Sequence, residues 1–373
     1  MNGIPVVKSK LVMPQLPHSF VMSNRIKRIA KAIHSKDVVM TTAPAGYGKT
    51  SLIIAALNMY GQNYRICWYR LDQEDRDLAV FFTHFIEALF PTEENEWHEC
   101  RANLANYCDI YSQYQSLIAI ICRELWVYHN HHKKIKTFIV LDDFQQVKDS
   151  QNILGPIQYL INNLPKNCSI IVNSRSESGI LTGKMRLEKD VLEINSNDLC
   201  FSEEDLSILL KNYGINTDNK MIQKIMFITE GWAAGIIMIC QILSRGDLQG
   251  SSIQGIGGIL EKPGEKAMLF KYIAIEVLKT VDPGLMLFLI KAAILRDFTA
   301  VEVSSIFDIK DVHVLLSQCE KQGLFVQKIP GEITTYRFHG LFREVLQQLQ
   351  AEYFSEEEIR CYHQQAAAYY IAS

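Results

Sequence analysis

The chain has 373 residues, 48% apolar and 21% charged, with a net charge of −3; this is enough for two or three core-forming domains. The small net charge excludes a global pull toward nucleic acid or an anionic membrane, so any DNA contact would need a local patch. The nine cysteines are dispersed without a C-x-x-C pair, no apolar stretch follows Lys8 and Lys10, and the most apolar runs, Ala233–Leu243 and Leu285–Leu295, are only about eleven residues long. These features argue against a disulfide framework and a bilayer span and indicate no signal peptide, and the expectation is a cytoplasmic protein with reduced thiols.

Residues 1–25 are punctuated by Pro5, Pro14 and Pro17 and read as an extended lead-in. An amphipathic helix then begins at Arg25 and runs to about Ile33. Its basic residues have two readings, a solvated face or, through Arg25, a wall for the base and sugar of a nucleotide. The apolar run Val38–Thr42 predicts a strand, and Ser51–Leu57 predicts a helix.

Between that strand and helix lies Ala43-Pro44-Ala45-Gly46-Tyr47-Gly48-Lys49-Thr50, which ends as a phosphate-binding loop does. Gly46 and Gly48 let the backbone curl so that N–H groups face an anion, and the helix start, with Ser51, adds its positive end. Lys49 supplies a charge for the outer phosphates, and the Thr50 hydroxyl is a natural Mg²⁺ ligand. Ala43 occupies the slot where the pattern has its first glycine, so that residue is either in an ordinary α or β conformation or strained. The competing reading is a surface loop that contains Gly-Lys-Thr by chance.

Strands are predicted at 64–71, 137–141, 168–173 and 191–194, with helices at 50–60, 77–90, 114–129 and 152–163. This alternation implies a parallel sheet covered on both faces, with ligands beyond the carboxyl ends of its strands. After the third strand come Asp142, suited to hold Mg²⁺ directly or through water, and Asp143, suited to orient or activate an attacking water. After the fourth comes Arg175, either a γ-phosphate sensor or a salt-bridged surface cation. The acidic stretch Leu71-Asp72-Gln73-Glu74-Asp75 reads as a solvated loop in preference to a second acidic contribution. His129, His131 and His132 lack Cys or carboxylate at ligand spacing and read as a solvated basic loop in preference to a zinc site.

The sheet pattern stops near 195. Ser202, followed by Glu203, Glu204 and Asp205, predicts an N-cap. Three helices follow, to Tyr213, over 218–229, and from Gly231-Trp232-Ala233 to about Leu243. Six glycines within 246–264 mark a flexible linker or a long loop. Helices at 266–280, 283–294, 300–306 and 311–322, then strands at 323–329 and 333–338, suggest a winged helix. A last helical stretch covers Glu356–Ile371. His339, just after the hairpin, reads on pattern alone as a helix-start histidine bonded to backbone.

Together, Lys10-Leu11, the loop Ala43–Thr50, Trp68-Tyr69-x-Leu71-Asp72, Leu141-Asp142-Asp143-Phe144, Ser174-Arg175, Leu199-x-Phe201, Thr229-Glu230-Gly231-Trp232 and Phe338-His339-x-Leu341-Phe342 resemble the STAND ATPases, signal transduction ATPases with numerous domains. The branch they resemble is the MalT-like, large LuxR-type transcriptional regulators, where alanine in the first loop slot is normal. The resemblance implies an α/β P-loop NTPase of AAA/STAND type (residues 1–195), a helical domain with a Gly-rich linker (196–262) and a mainly α winged-helix domain (263–373).

It also implies ATP/ADP and Mg²⁺ as cofactors and a switch that rests closed on ADP. Slow ATP hydrolysis would reset it, and an inducer or regulatory protein would open it for self-association. His339 sits where the family's winged-helix histidine contacts the ADP phosphates. Gly231-Trp232-Ala233 departs from a Gly-x-Pro whose proline packs on the base. DNA would be bound only by a C-terminal helix-turn-helix absent from this chain, which is expected to hold only the switch. The competing functions are an AAA-like oligomeric motor working on a polymer and a nucleotide-stabilised module that never hydrolyses. No obvious arginine finger or pore loop in the sequence favours the motor.

Overall fold

The computed structural model describes residues 4–17, 19–59, 64–92, 110–133, 135–244, 278, 281–322, 324–329, 331–338 and 340–372. They form two compact units. The first comprises Met1–Met13, Asn24–Pro44 and Lys49–Leu199; the second comprises Pro14–Ser23, Ala45–Gly48 and Cys200–Ser373.

The first unit is a five-stranded, all-parallel sheet. Its strands are β1 (Val38–Thr42), β2 (Tyr64–Arg70), β3 (Lys136–Asp142), β4 (Cys168–Ser174) and β5 (Val191–Asn195), in the order β2-β3-β4-β1-β5. Each β4 residue is buried, as expected for a central strand covered on both faces. The helices are α1 (Asn24–Ser35), α2 (Lys49–Asn58), α3 (Leu78–Leu89), α4 (Ile110–His131) and α5 (Gln151–Asn163). α3 begins where the Asp77 side chain accepts from the N–H groups of Ala79 and Val80, a side-chain N-cap. The apolar core joins Phe81, Phe82 and Phe85 of α3 to Leu117 and Ile121 of α4 and to Ile139, Leu141 and Ile170 of the sheet.

Two expectations are corrected here. The stretch after β2 is not a solvated loop. Asp72 and Asp75 are buried around the equally buried Lys10, whose Nζ lies 2.7 Å from Asp72 and 3.1 Å from Asp75. The acids are neutralised from the lead-in, at a sequence distance no local pattern reveals. The histidines are not all in a loop either: α4 continues through His131, and His129 is buried with Nε2 3.3 Å from the Cys168 Sγ.

The second unit carries α6 (Glu203–Asn212), α7 (Asn219–Thr229) and α8 (Ala233–Ser244). Ser202 caps α6 in a reciprocal capping box with Asp205. It continues with α9 (Pro283–Ala292), α10 (Ala300–Phe307), α11 (Val312–Gln322), the antiparallel pair β6 (Val326–Ile329) and β7 (Thr335–Phe338), α12 (Gly340–Tyr353) and α13 (Glu356–Ala372). Three helices followed by a hairpin make the winged helix. The two hairpin strands are shorter than the sequence pattern predicts. Arg337 of β7 grips Asp297 through two nitrogens, at 2.5 and 2.7 Å. The Gly-rich stretch 246–264, most of the helix expected at 266–280, and His339 lie outside the described residues.

Candidate functional site

The parallel sheet brings the ends of β3, β4 and β1 side by side. Ala43 extends β1 by one bond, its N–H donating to the Ser174 carbonyl at 3.3 Å. Gly46 and Gly48 both have φ of +80°, where a side chain would be strained. Ala43 is not among the residues with positive φ, so alanine stands there without backbone cost. Tyr47 is buried, Pro44 is exposed, and Ala45, Gly46, Gly48, Lys49, Thr50 and Ser51 are half-buried.

α2 starts at Lys49, so the Thr50 side chain sits in its first turn. Thr50 Oγ1 donates to the Asp142 carboxylate at 3.2 Å and accepts from Asn173 Nδ2 at 3.0 Å. Asn173 Nδ2 also donates to Asp142 Oδ1, and the Asp143 N–H donates to the same oxygen at 3.1 Å. Two strand ends and one helix start are thus tied into a single polar knot. Asp142 is buried; burial first, then the neighbouring Asp143 charge, pushes its carboxyl up to about 7. Asn173, Arg70 and Lys49 act in the opposite direction.

Lys49 Nζ donates to the Pro44 carbonyl at 3.1 Å. Burial pushes its ammonium down to about 8. Asp142 and Asp143 oppose that fall, and the Arg175 charge adds to it. Lys49, Asp142, Asp143 and Arg175 therefore share one electrostatic environment.

Asp143 takes the left-handed conformation, φ 58°, and caps a 3₁₀ turn over Phe144–Gln146. Its carboxylate lies 3.6 Å from Arg70 Nε and accepts from Gln145 Nε2 at 2.9 Å. Gln145 Oε1 in turn accepts the Arg175 N–H at 3.0 Å. Arg25 lies elsewhere in its bonding: its guanidinium donates to the Asp198 carbonyl after β5.

Sequence reasoning missed Asn173, Arg70 and Gln145. The usable signal was position: each sits at, or within three residues of, the end of a parallel strand, where such sheets place their ligand contacts.

The donor set suits a hard divalent cation. Thr50 Oγ1 and the Asp142 carboxylate are oxygen donors at one point, and the buried Asn173 Oδ1 has no hydrogen-bond partner among the described residues. Mg²⁺ takes one or two protein oxygens and retains waters that can bond to such an acceptor. Among the described residues no group of three or more His, Cys, Asp or Glu could hold a metal without further ligands.

Comparison with known proteins agrees with this architecture. Residues 274–358 match the MalT winged helix domain. Over 342 residues the chain is 25% identical to the HTH-type transcriptional regulator MalT of Vibrio cholerae, covering 91% of this chain and 36% of that protein. Over 360 residues it is 23% identical to the serine/threonine-protein kinase PknK of Mycobacterium tuberculosis, covering 96% and 31%. The chain thus spans about a third of the length of these curated relatives.

A STAND protein with a tetratricopeptide repeat sensor from Pyrococcus horikoshii superposes with a TM-score of 0.63 at 16% identity, over 96% of this chain and 46% of that one. The chain is MalT-like and has the fold of a STAND P-loop ATPase. No helix among the described residues is long and apolar enough to cross a membrane.

Proposed function

We propose that this MalT-like STAND chain is the nucleotide-controlled switch of a signal-responsive transcriptional regulator. The observation that carries the reading is the knot of Thr50, Asp142 and Asn173 beside Lys49, at the strand ends that a phosphate loop adjoins. In this reading ATP or ADP lies with its phosphates along Ala43–Ser51. Gly46 and Gly48 supply the positive-φ backbone that turns loop N–H groups toward the anion, and Lys49 neutralises it. Thr50 and Asp142 would hold Mg²⁺, which would supply charge neutralisation at the phosphate oxygens.

Asp143 orients the attacking water, and Gln145 and Arg70 fix that carboxylate in place. Arg175, tied through its backbone to Gln145, senses the outermost phosphate. His339 and Arg25 contribute to nucleotide binding on the strength of the family resemblance. The division into 1–195, 196–262 and 263–373 follows the same resemblance. So do the ADP-bound resting state, slow hydrolysis, an inducer or regulatory protein, and self-association on activation. A cytoplasmic location goes with them. Contact with DNA would fall to a further helix-turn-helix.

The test is calorimetric titration of ADP into the wild-type chain and Lys49→Ala. Loss of the charge in the cradle should weaken binding by at least about a hundredfold, on the order of the 3 kcal/mol of a charge-assisted bond. Equal affinities in the two proteins would refute the phosphate-loop assignment.

A further inference from the structure

Trp232 is a large side chain built against the glycine loop. It reaches that loop because the chain reverses sharply after α7. Glu230 and Gly231 both take left-handed backbone, φ 48° and 75°. A Cβ on Gly231 would meet the Phe201 carbonyl oxygen at 2.8 Å, and the Phe201 N–H donates to the Gly231 carbonyl at the same distance. Glycine is therefore required twice over at that position, by conformation and by space.

Beyond the reversal, the Trp232 ring is buried and lies in a slot between two glycines. A Cβ on Gly46 would be 2.6 Å from Trp232 Nε1, and one on Gly235 would be 2.7 Å from its Cε3. Gly235 is inside α8, where glycine costs about 1 kcal/mol against alanine. The space that its missing side chain leaves is filled by the indole.

Two donors from this segment hold two consecutive loop carbonyls. Trp232 Nε1–H donates to the Ala45 oxygen at 3.0 Å, and the Ala234 N–H donates to the Gly46 oxygen at 2.9 Å. Every one of these residues belongs to the second unit. In a planar trans peptide the C=O of one residue and the N–H of the next point opposite ways. With the Ala45 and Gly46 carbonyls turned to Trp232 and the start of α8, the N–H groups of Gly46 and Tyr47 point away from them. Those are the amides that a glycine loop offers to phosphate.

We propose that Trp232 is a positioning residue: its indole sets the orientation of the Ala45–Tyr47 peptides and so pre-forms the anion-facing amides of the loop. The proposal rests on the reading of Ala43–Thr50 as a phosphate cradle. It gives the Gly231-Trp232-Ala233 segment a role in phosphate recognition that requires no contact with the base.

The test compares the nucleotide-stripped wild-type chain with Trp232→Phe, which keeps a ring and loses the donor. Gly235→Ala, which fills the slot on the far side of the ring, is the second variant. Affinities for ADP and for AMP are measured by calorimetry. The expected result is ADP binding about ten- to a hundredfold weaker in both variants, the effect of losing one partly buried hydrogen bond to a loop carbonyl, with AMP binding nearly unchanged.

That collapse of the preference for ADP is something a general loss of packing would not produce. Equal ADP affinity in wild type and variants would overturn the proposal, as would a parallel loss of ADP and AMP. If Trp232→Phe does not fold, Gly235→Ala carries the same comparison, since alanine favours the helix it sits in. If the wild type binds neither nucleotide, the cradle reading itself fails and the proposal falls with it.

Discussion

Replacing Asp142 by Asn should make the metal-free protein more stable at alkaline pH while removing its use of Mg²⁺. The Asp142 carboxyl is buried and held at about 7 against an ordinary 3.8. An acid raised in the folded state gives up its proton first in the unfolded chain. Folding stability is therefore highest at low pH, falls as pH rises between about 4 and 7, and is flat above that.

At pH 8 the ionised carboxylate costs the folded chain on the order of 2–4 kcal/mol. Asn carries no charge, and its oxygen can still accept from Asn173 and from the Asp143 N–H. About 1 kcal/mol is lost because those bonds are no longer charge-assisted. The net gain is about 2 kcal/mol at pH 8 and close to zero near pH 4. For a chain of this size that is a rise of about 3 °C in the thermal midpoint.

The assay is thermal unfolding of nucleotide-stripped wild type and Asp142→Asn in EDTA across pH 4 to 8. A second series with ATP, with and without Mg²⁺, should show added stabilisation by Mg²⁺ in the wild type and none in the variant. A variant less stable than wild type at pH 8, or a difference that does not grow with pH, would refute the electrostatic reasoning.

Two further predictions concern separate parts of the first unit. Asp143→Asn should leave ATP affinity within about threefold of wild type and cut single-turnover hydrolysis by about a hundredfold, the ordinary effect of losing a water-positioning base; wild-type turnover would move that role to another residue. Lys10→Met should lower unfolding free energy by about 3–5 kcal/mol in urea, because Asp72 and Asp75 are left buried without their cation. A loss under 1 kcal/mol would mean that the lead-in is dispensable.

The sheet was legible because its buried parallel strands carry continuous apolar runs: Val38–Thr42 and Cys168–Ser174 could be read almost to the residue. The loop residues were legible because Gly46 and Gly48 stand where the backbone requires positive φ. What escaped reading were contacts made across the sequence. Asn173 looks like any polar residue at a strand end until β4 sets it against Thr50 and Asp142 from two other elements. Lys10 and Asp75 are 65 positions apart, so neither carries a local sign of the other. His129 was misread for a related reason. A basic run follows it, yet the helix runs through His131, two residues past its expected end, and the His129 ring is buried beside Cys168.

The most direct test of nucleotide control is to denature the purified wild-type chain and identify by chromatography what it releases. The account predicts about one ADP per chain, retained through purification, and none from Lys49→Ala. A wild-type chain that emerges empty and turns over ATP rapidly would contradict a resting ADP-bound switch and favour a motor.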